Sequence, residues 1–160
     1  MNAWVDQWRI LVDVALAMLL GGLIGLEREV ADKPAGLRTH MLVAATAALL
    51  VGLSSALVTT FGALDGARTA SDPIRIVQAI VMGIGFLGAG TIIQRSQAER
   101  IEGLTTGASL LLAAALGICV AAGRVLLALG TTALALMVLY LLGRAEHWLA
   151  KRRKTSGEAF

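Results

Sequence analysis

The sequence predicts an all-α integral membrane protein with five transmembrane helices. Helices 1–2 and 3–4 are expected to form parallel-repeat hairpins, with a fifth helix outside the repeat. Three observations carry that prediction. Of 160 residues, 57% are hydrophobic and 16% charged, and the mean hydropathy is +0.76. A soluble domain of this length cannot hide so much apolar surface from water. The apolar residues fall in five long runs, the pattern expected where lipid is the solvent. The basic residues gather on alternate connections between those runs. The length allows one domain, with a transmembrane part over 1–143 and a basic cytoplasmic tail over 144–160.

Trp4 and Trp8 precede the first run, as tryptophan does at a membrane interface. A cleaved signal peptide is not expected, because the basic start and a small-x-small cleavage site are missing and Asp13 interrupts the apolar part. The runs cover about 10–26, 40–61, 74–93, 104–122 and 125–143. Each is long enough to cross a hydrocarbon core of about 30 Å as a helix, which also satisfies its own backbone polar groups. The first run stops at Glu27-Arg28-Glu29, and Gly36-Leu37-Arg38-Thr39 opens the second. Ser71-Asp72-Pro73 is a helix-start signal ahead of the third, with Asp72 readable as a simple cap. Gly123-Arg124 alone joins the fourth and fifth, which predicts a tight antiparallel pair. After Gly143, Trp148 and Leu149 adjoin Lys151-Arg152-Arg153-Lys154. That reads as an interfacial helix end fraying at Thr155-Ser156-Gly157, its cluster suited to anionic lipid rather than nucleic acid.

Charge sets the orientation. With the N-terminus outside and the C-terminus cytoplasmic, ten basic residues face the cytoplasm and four face out. The positive-inside rule favours that arrangement. Shifted by 67 residues, 20–49 matches 87–116 at ten of 30 positions, including Gly21/Gly88, Arg28/Arg95, Gly36/Gly103, Leu37/Leu104 and Thr39/Thr106. An internal repeat of this kind places two hairpins in the same sense, related by an axis along the membrane normal. Both charged tips then face the cytoplasm, and the fifth helix is left as a brace or a homodimer contact.

The functional candidates lie at the tips and within the spans. Glu27, Arg28 and Glu29 end the first run close to Arg38 and Thr39. Such a group can form a buried ion network that fixes the hairpin, or it can bind a cation or a partner protein. Asp13 is a carboxylate at membrane depth, a functional candidate by default, unless it snorkels or pairs with a base such as Arg75. Gln78 can hydrogen-bond across helices. Gly21, Gly25, Gly83, Gly85, Gly88 and Gly90 suit close helix packing, and a third helix with glycine on two faces is expected to be gripped from both sides. The sharper alternative is an unwound third helix whose carbonyls hold an ion. Thr105, Thr106 and Ser109 are expected to cap and pack the fourth helix.

Other chemistry is not indicated. Cys119 has no partner for a disulfide, and His40 and His147 are isolated, so no metal site is expected. No phosphate-binding or dinucleotide fingerprint, nucleic-acid motif or assembled nucleophile is present, so neither a cofactor nor an enzyme is expected.

GGLIGLERE at 21–29, AGLRTH at 35–40, DPIRI at 72–76, GIGFLGAGTI at 83–92 and GLTTGASLLLAAALG at 103–117 together resemble the MgtC/SapB family of bacterial inner-membrane proteins. The resemblance covers about residues 10–122. It implies a polytopic helical domain tied to adaptation to low magnesium, to survival inside macrophages (virulence), and to restraint of the membrane ATP synthase, a partner by resemblance only. The motif residues it carries over are Glu27, Arg28, Glu29, Gly36, Leu37, Arg38, Thr39, Asp72, Arg75, Gly85, Gly88, Gly90, Gly103, Leu104 and Thr106. Longer members carry a soluble domain after the last helix; here 17 residues follow Gly143, and the expectation is that another chain supplies that domain's role or that it is absent. Two functions follow from these readings. One is a non-enzymatic regulatory or ion-homeostasis module acting through membrane-protein partners. The other is a small ion or solute carrier with a path between the repeats near Asp13, Gln78 and the helix-3 glycines.

Overall fold

A computed structural model describes residues 3–65, 73–93 and 103–157. They form five helices: α1 (Ala3–Val30), α2 (Leu37–Asp65), α3 (Pro73–Ile93), α4 (Leu104–Ala121) and α5 (Val125–Gly157). No strand occurs among the described residues. The four long apolar helices are fit to span a membrane, and α5 carries a shorter apolar stretch, Val125–Leu141, near the lower limit of about 17 residues for a span.

Two of the connections have a clear cause. At the end of α1, the Lys33 amide donates to the Arg28 carbonyl at 3.0 Å and the Asp32 amide to that of Glu29 at 3.1 Å, with Asp32 at φ 53. This is a Schellman stop, with aspartate in the left-handed position that glycine usually fills. At the end of α4 the same bonds recur, Arg124 to Cys119 at 2.8 Å and Gly123 to Val120 at 2.9 Å, and Gly123 takes φ 72. That stop turns the chain straight into α5, but α4 meets α5 only sparingly, so the two do not form the expected tight pair.

The core lies between α1, α2 and α4. Ala17, Leu20 and Ile24 meet Ala44, Ala47 and Ala48, and Leu110, Ala113, Ala114 and Leu116 close the third side. In lipid, burial of apolar area does not drive helices together; close packing does. Small residues permit it here. A Cβ on Gly21 would lie 2.6 Å from the His40 carbonyl oxygen, and one on Gly25 2.8 Å from Leu37 Cα. A Cβ on Gly117 would collide with the Ala44 carbonyl.

The third helix is not the central one. α4 packs against all four others, whereas α3 meets α4 and, sparingly, α2. The reason is the direction of the glycines. Gly88 faces Gly107 of α4, but a Cβ on Gly83, Gly85 or Gly90 would meet nothing within 4 Å. α3 is helical throughout Pro73–Ile93, so it is not unwound. α5 leans on α1 and α4 through buried Ala128 and Thr132, while Leu126 is 86% exposed, as Phe86 of α3 is 84% exposed. Such side chains suit lipid. The tail does not fray at Thr155: α5 stays helical to Gly157, with no proline in Val125–Gly157 to stop it earlier.

Candidate functional site

Three helix ends meet at one end of the bundle: the C-terminus of α1 and the N-termini of α2 and α4. His40, in the first turn of α2, joins them. Its ring is fully buried. Nδ1 lies 2.9 Å from the Gly36 carbonyl, one turn back, and Nε2 lies 2.9 Å from Ser109 Oγ on α4. A carbonyl only accepts, so Nδ1 carries a proton. A neutral ring then accepts from the Ser109 hydroxyl through Nε2. The same hydroxyl is 2.9 Å from the Thr106 carbonyl, and its one proton can serve only one of these acceptors at a time. On the other side of His40, a Cβ added to Gly25 would lie 2.9 Å from the His40 Cβ, so α1 closes over the residue.

The charges of the tip sit beside this junction. Arg28 is 4% exposed, and its Nη1 lies 3.6 Å from Glu27 Oε2. That distance makes an ion pair but not a hydrogen bond. Glu27 Oε2 and Arg28 Nε are both buried without a hydrogen-bond partner among the described residues, a costly and uncommon state for polar atoms. Glu29 has a separate role. Its Oε2 accepts from the Leu37 amide at 2.8 Å, placing a carboxylate on the positive end of α2. A Cβ on Gly36 would lie 2.8 Å from that oxygen, so glycine leaves room for the contact.

The structure thus brings together Glu27, Arg28 and Glu29 but not the whole expected set. Arg38 is exposed, Thr39 half-buried, and Arg38 makes no ion pair among the described residues. Asp13, on α1, does not pair with Arg75 on α3, because those helices do not touch. Gln78 is exposed and makes none of the hydrogen bonds seen among the described residues. Asp72 lies outside the described residues. Gly21 and Gly25 pack tightly, and Gly88 does so against Gly107. No side chain caps α4; Gly103 holds the cap position at φ 105, while Thr106 and Ser109 are buried and Thr105 is exposed.

His40 is the residue that sequence reasoning passed over. Its signal was indirect: a polar ring one turn into an apolar run, across from two glycines spaced to admit it. No group of three metal-ligating side chains forms among the described residues.

Comparison with known proteins follows the helical pattern. The MgtC family model matches residues 14–148. SapB of Bacillus subtilis strain 168 is 38% identical over 76% of this chain and 51% of its own length. YhiD of Escherichia coli K12, a candidate magnesium transporter by its name, is 37% identical over 81% of this chain and 58% of its own. MgtC of Brucella abortus strain 2308 is 43% identical over 70% of this chain and 42% of its own. The chain thus spans about half the length of these curated relatives. No solved structure matches it. A family model over most of the chain and relatives at this level of identity place it plainly: the chain belongs to the MgtC family.

Proposed function

We propose that this protein is a non-enzymatic inner-membrane module of ion homeostasis, serving adaptation to low magnesium or host stress, and that it works by presenting its hairpin tips to a membrane-protein partner. One observation carries the reading: the His40–Ser109 contact at 2.9 Å draws both hairpins together at one end, the end that carries exposed Arg38 and Lys33 and the Glu27–Arg28 ion pair. These cationic side chains of the α1–α2 connection and the first turn of α2, without ion-pair partners among the described residues, are available to an acidic surface. The positive-inside rule turns that face to the cytoplasm, with the N-terminus outside. The internal repeat is supported by a pair of equivalent contacts: Gly21 meets His40 and Gly88 meets Gly107, and both members shift by the same 67 residues. The protein acts as a homodimer, through the exposed outer face of α5.

The test is growth under magnesium limitation in cells lacking the protein, complemented with wild type or Arg38→Ala. Arg38 is exposed, so the variant keeps the fold. Loss of complementation at unchanged membrane abundance is expected; full complementation by the variant overturns the proposal. A carrier is the second reading, favoured by the name of the Escherichia coli relative. Selective magnesium flux in liposomes, abolished by Asp13→Asn, would establish it and remove the first.

A further inference from the structure

A trough of about 560 Å³ runs along the outside of the bundle between α2 and α3. Its walls are apolar, built from Val43, Leu50 and Leu57 on one side and Ile76 and Ile80 on the other. Arg75 is the one charged residue that lines it. Arg75 is exposed, belongs to the first turn of α3, and makes no ion pair among the described residues. From Val43 to Leu57 the α2 wall rises about 21 Å at 1.5 Å per residue, more than the roughly 15 Å of one leaflet's hydrocarbon. The α3 wall, from Arg75 to Ile84, rises about 14 Å, close to the reach of an acyl chain through one leaflet.

A long apolar trough with one cation at its end, unpaired among the described residues, has the shape and charge of a lipid site. We propose that the trough binds an anionic phospholipid, with an acyl chain along the α2–α3 wall and the headgroup phosphate on the Arg75 guanidinium. The site also accounts for the sparing contact between α2 and α3: the lipid chain fills the space that side chains leave.

The test uses purified full-length protein in detergent, titrated with phosphatidylglycerol or phosphatidylethanolamine, with bound lipid counted by native mass spectrometry. Arg75→Gln removes the cation. Gly83→Leu fills the trough, since Gly83 lines it and a Cβ there meets nothing within 4 Å. Ala79→Phe, on the same exposed wall, is a second blocking variant. Circular dichroism and a thermal midpoint check that each variant is folded. Wild type should prefer phosphatidylglycerol. Arg75→Gln should lower its binding about fivefold and abolish the preference, as expected for one lost basic contact. The folded blocking variants should lose both lipids. Binding unchanged in Arg75→Gln or in the blocking variants, or no headgroup preference in wild type, overturns the proposal. So does a change in self-association at unchanged lipid binding, which would make a second copy the occupant.

Discussion

At position 40 a ring nitrogen reaches a hydroxyl 69 residues away, and the backbone of α1 must lie against the same side chain. Removing that hydroxyl leaves a buried nitrogen unsatisfied. Ser109→Ala should cost about 1–3 kcal/mol, seen as a lower thermal unfolding midpoint in detergent; an unchanged midpoint would mean that the contact carries no stability. The glycines give a signed comparison. In Gly25→Ala the new methyl would lie 2.8 Å from Leu37 Cα and 2.9 Å from the Gly36 carbonyl oxygen. Backbone cannot yield as a flexible side chain can, so a loss of about 1–3 kcal/mol is expected. Gly83→Ala meets open space and should gain about 1 kcal/mol from helix propensity. Opposite shifts of the two midpoints are the expected outcome. Both positions read alike in the sequence, as glycine in an apolar run. What distinguishes them is the direction each faces, which depends on the neighbour that the helix meets. Glu27, Arg28 and Glu29 were legible as a group because charge beside a span is rare, but their division of labour was not: Glu29 binds the start of α2 and Arg28 is buried beside Glu27.

At the scale of elements, the two Schellman stops decide where α1 and α4 end. Asp32 holds φ 53, a conformation that costs a side chain roughly 1 kcal/mol or more. Asp32→Gly should therefore stabilise the first hairpin by up to about 1 kcal/mol, measured again as the midpoint in detergent; destabilisation would show that the carboxylate has a role beyond the turn. The spans were readable from hydropathy, and the helices overrun them for a physical reason. Apolar content marks the part of a helix that lipid covers, whereas hydrogen bonding continues past it. The first run begins at about 10 and α1 at Ala3; the second ends at about 61 and α2 at Asp65. The cap of α4 was misread because threonine and serine favour caps in general, yet here Gly103 supplies the turn and Ser109 turns inward to His40.

For the whole molecule, the fold class followed from composition and run length, since only spanning helices dispose of so much apolar surface in so short a chain. The rank of the helices did not follow. α4 rather than α3 is central, because Gly107, Ala113, Ala114 and Gly117 sit at its contacts with the other helices and the α3 glycines mostly face away. The functional reading rests on two hairpins sharing a face, and labelling tests that most directly. In a Cys119→Ser background, Lys33→Cys, Thr105→Cys and Arg124→Cys, all at exposed positions, are each probed with an impermeant thiol reagent on right-side-out and inverted vesicles. A shared tip face predicts that Lys33→Cys and Thr105→Cys react from the cytoplasmic side and Arg124→Cys from the other. Reaction of Lys33→Cys and Thr105→Cys from opposite sides would contradict it.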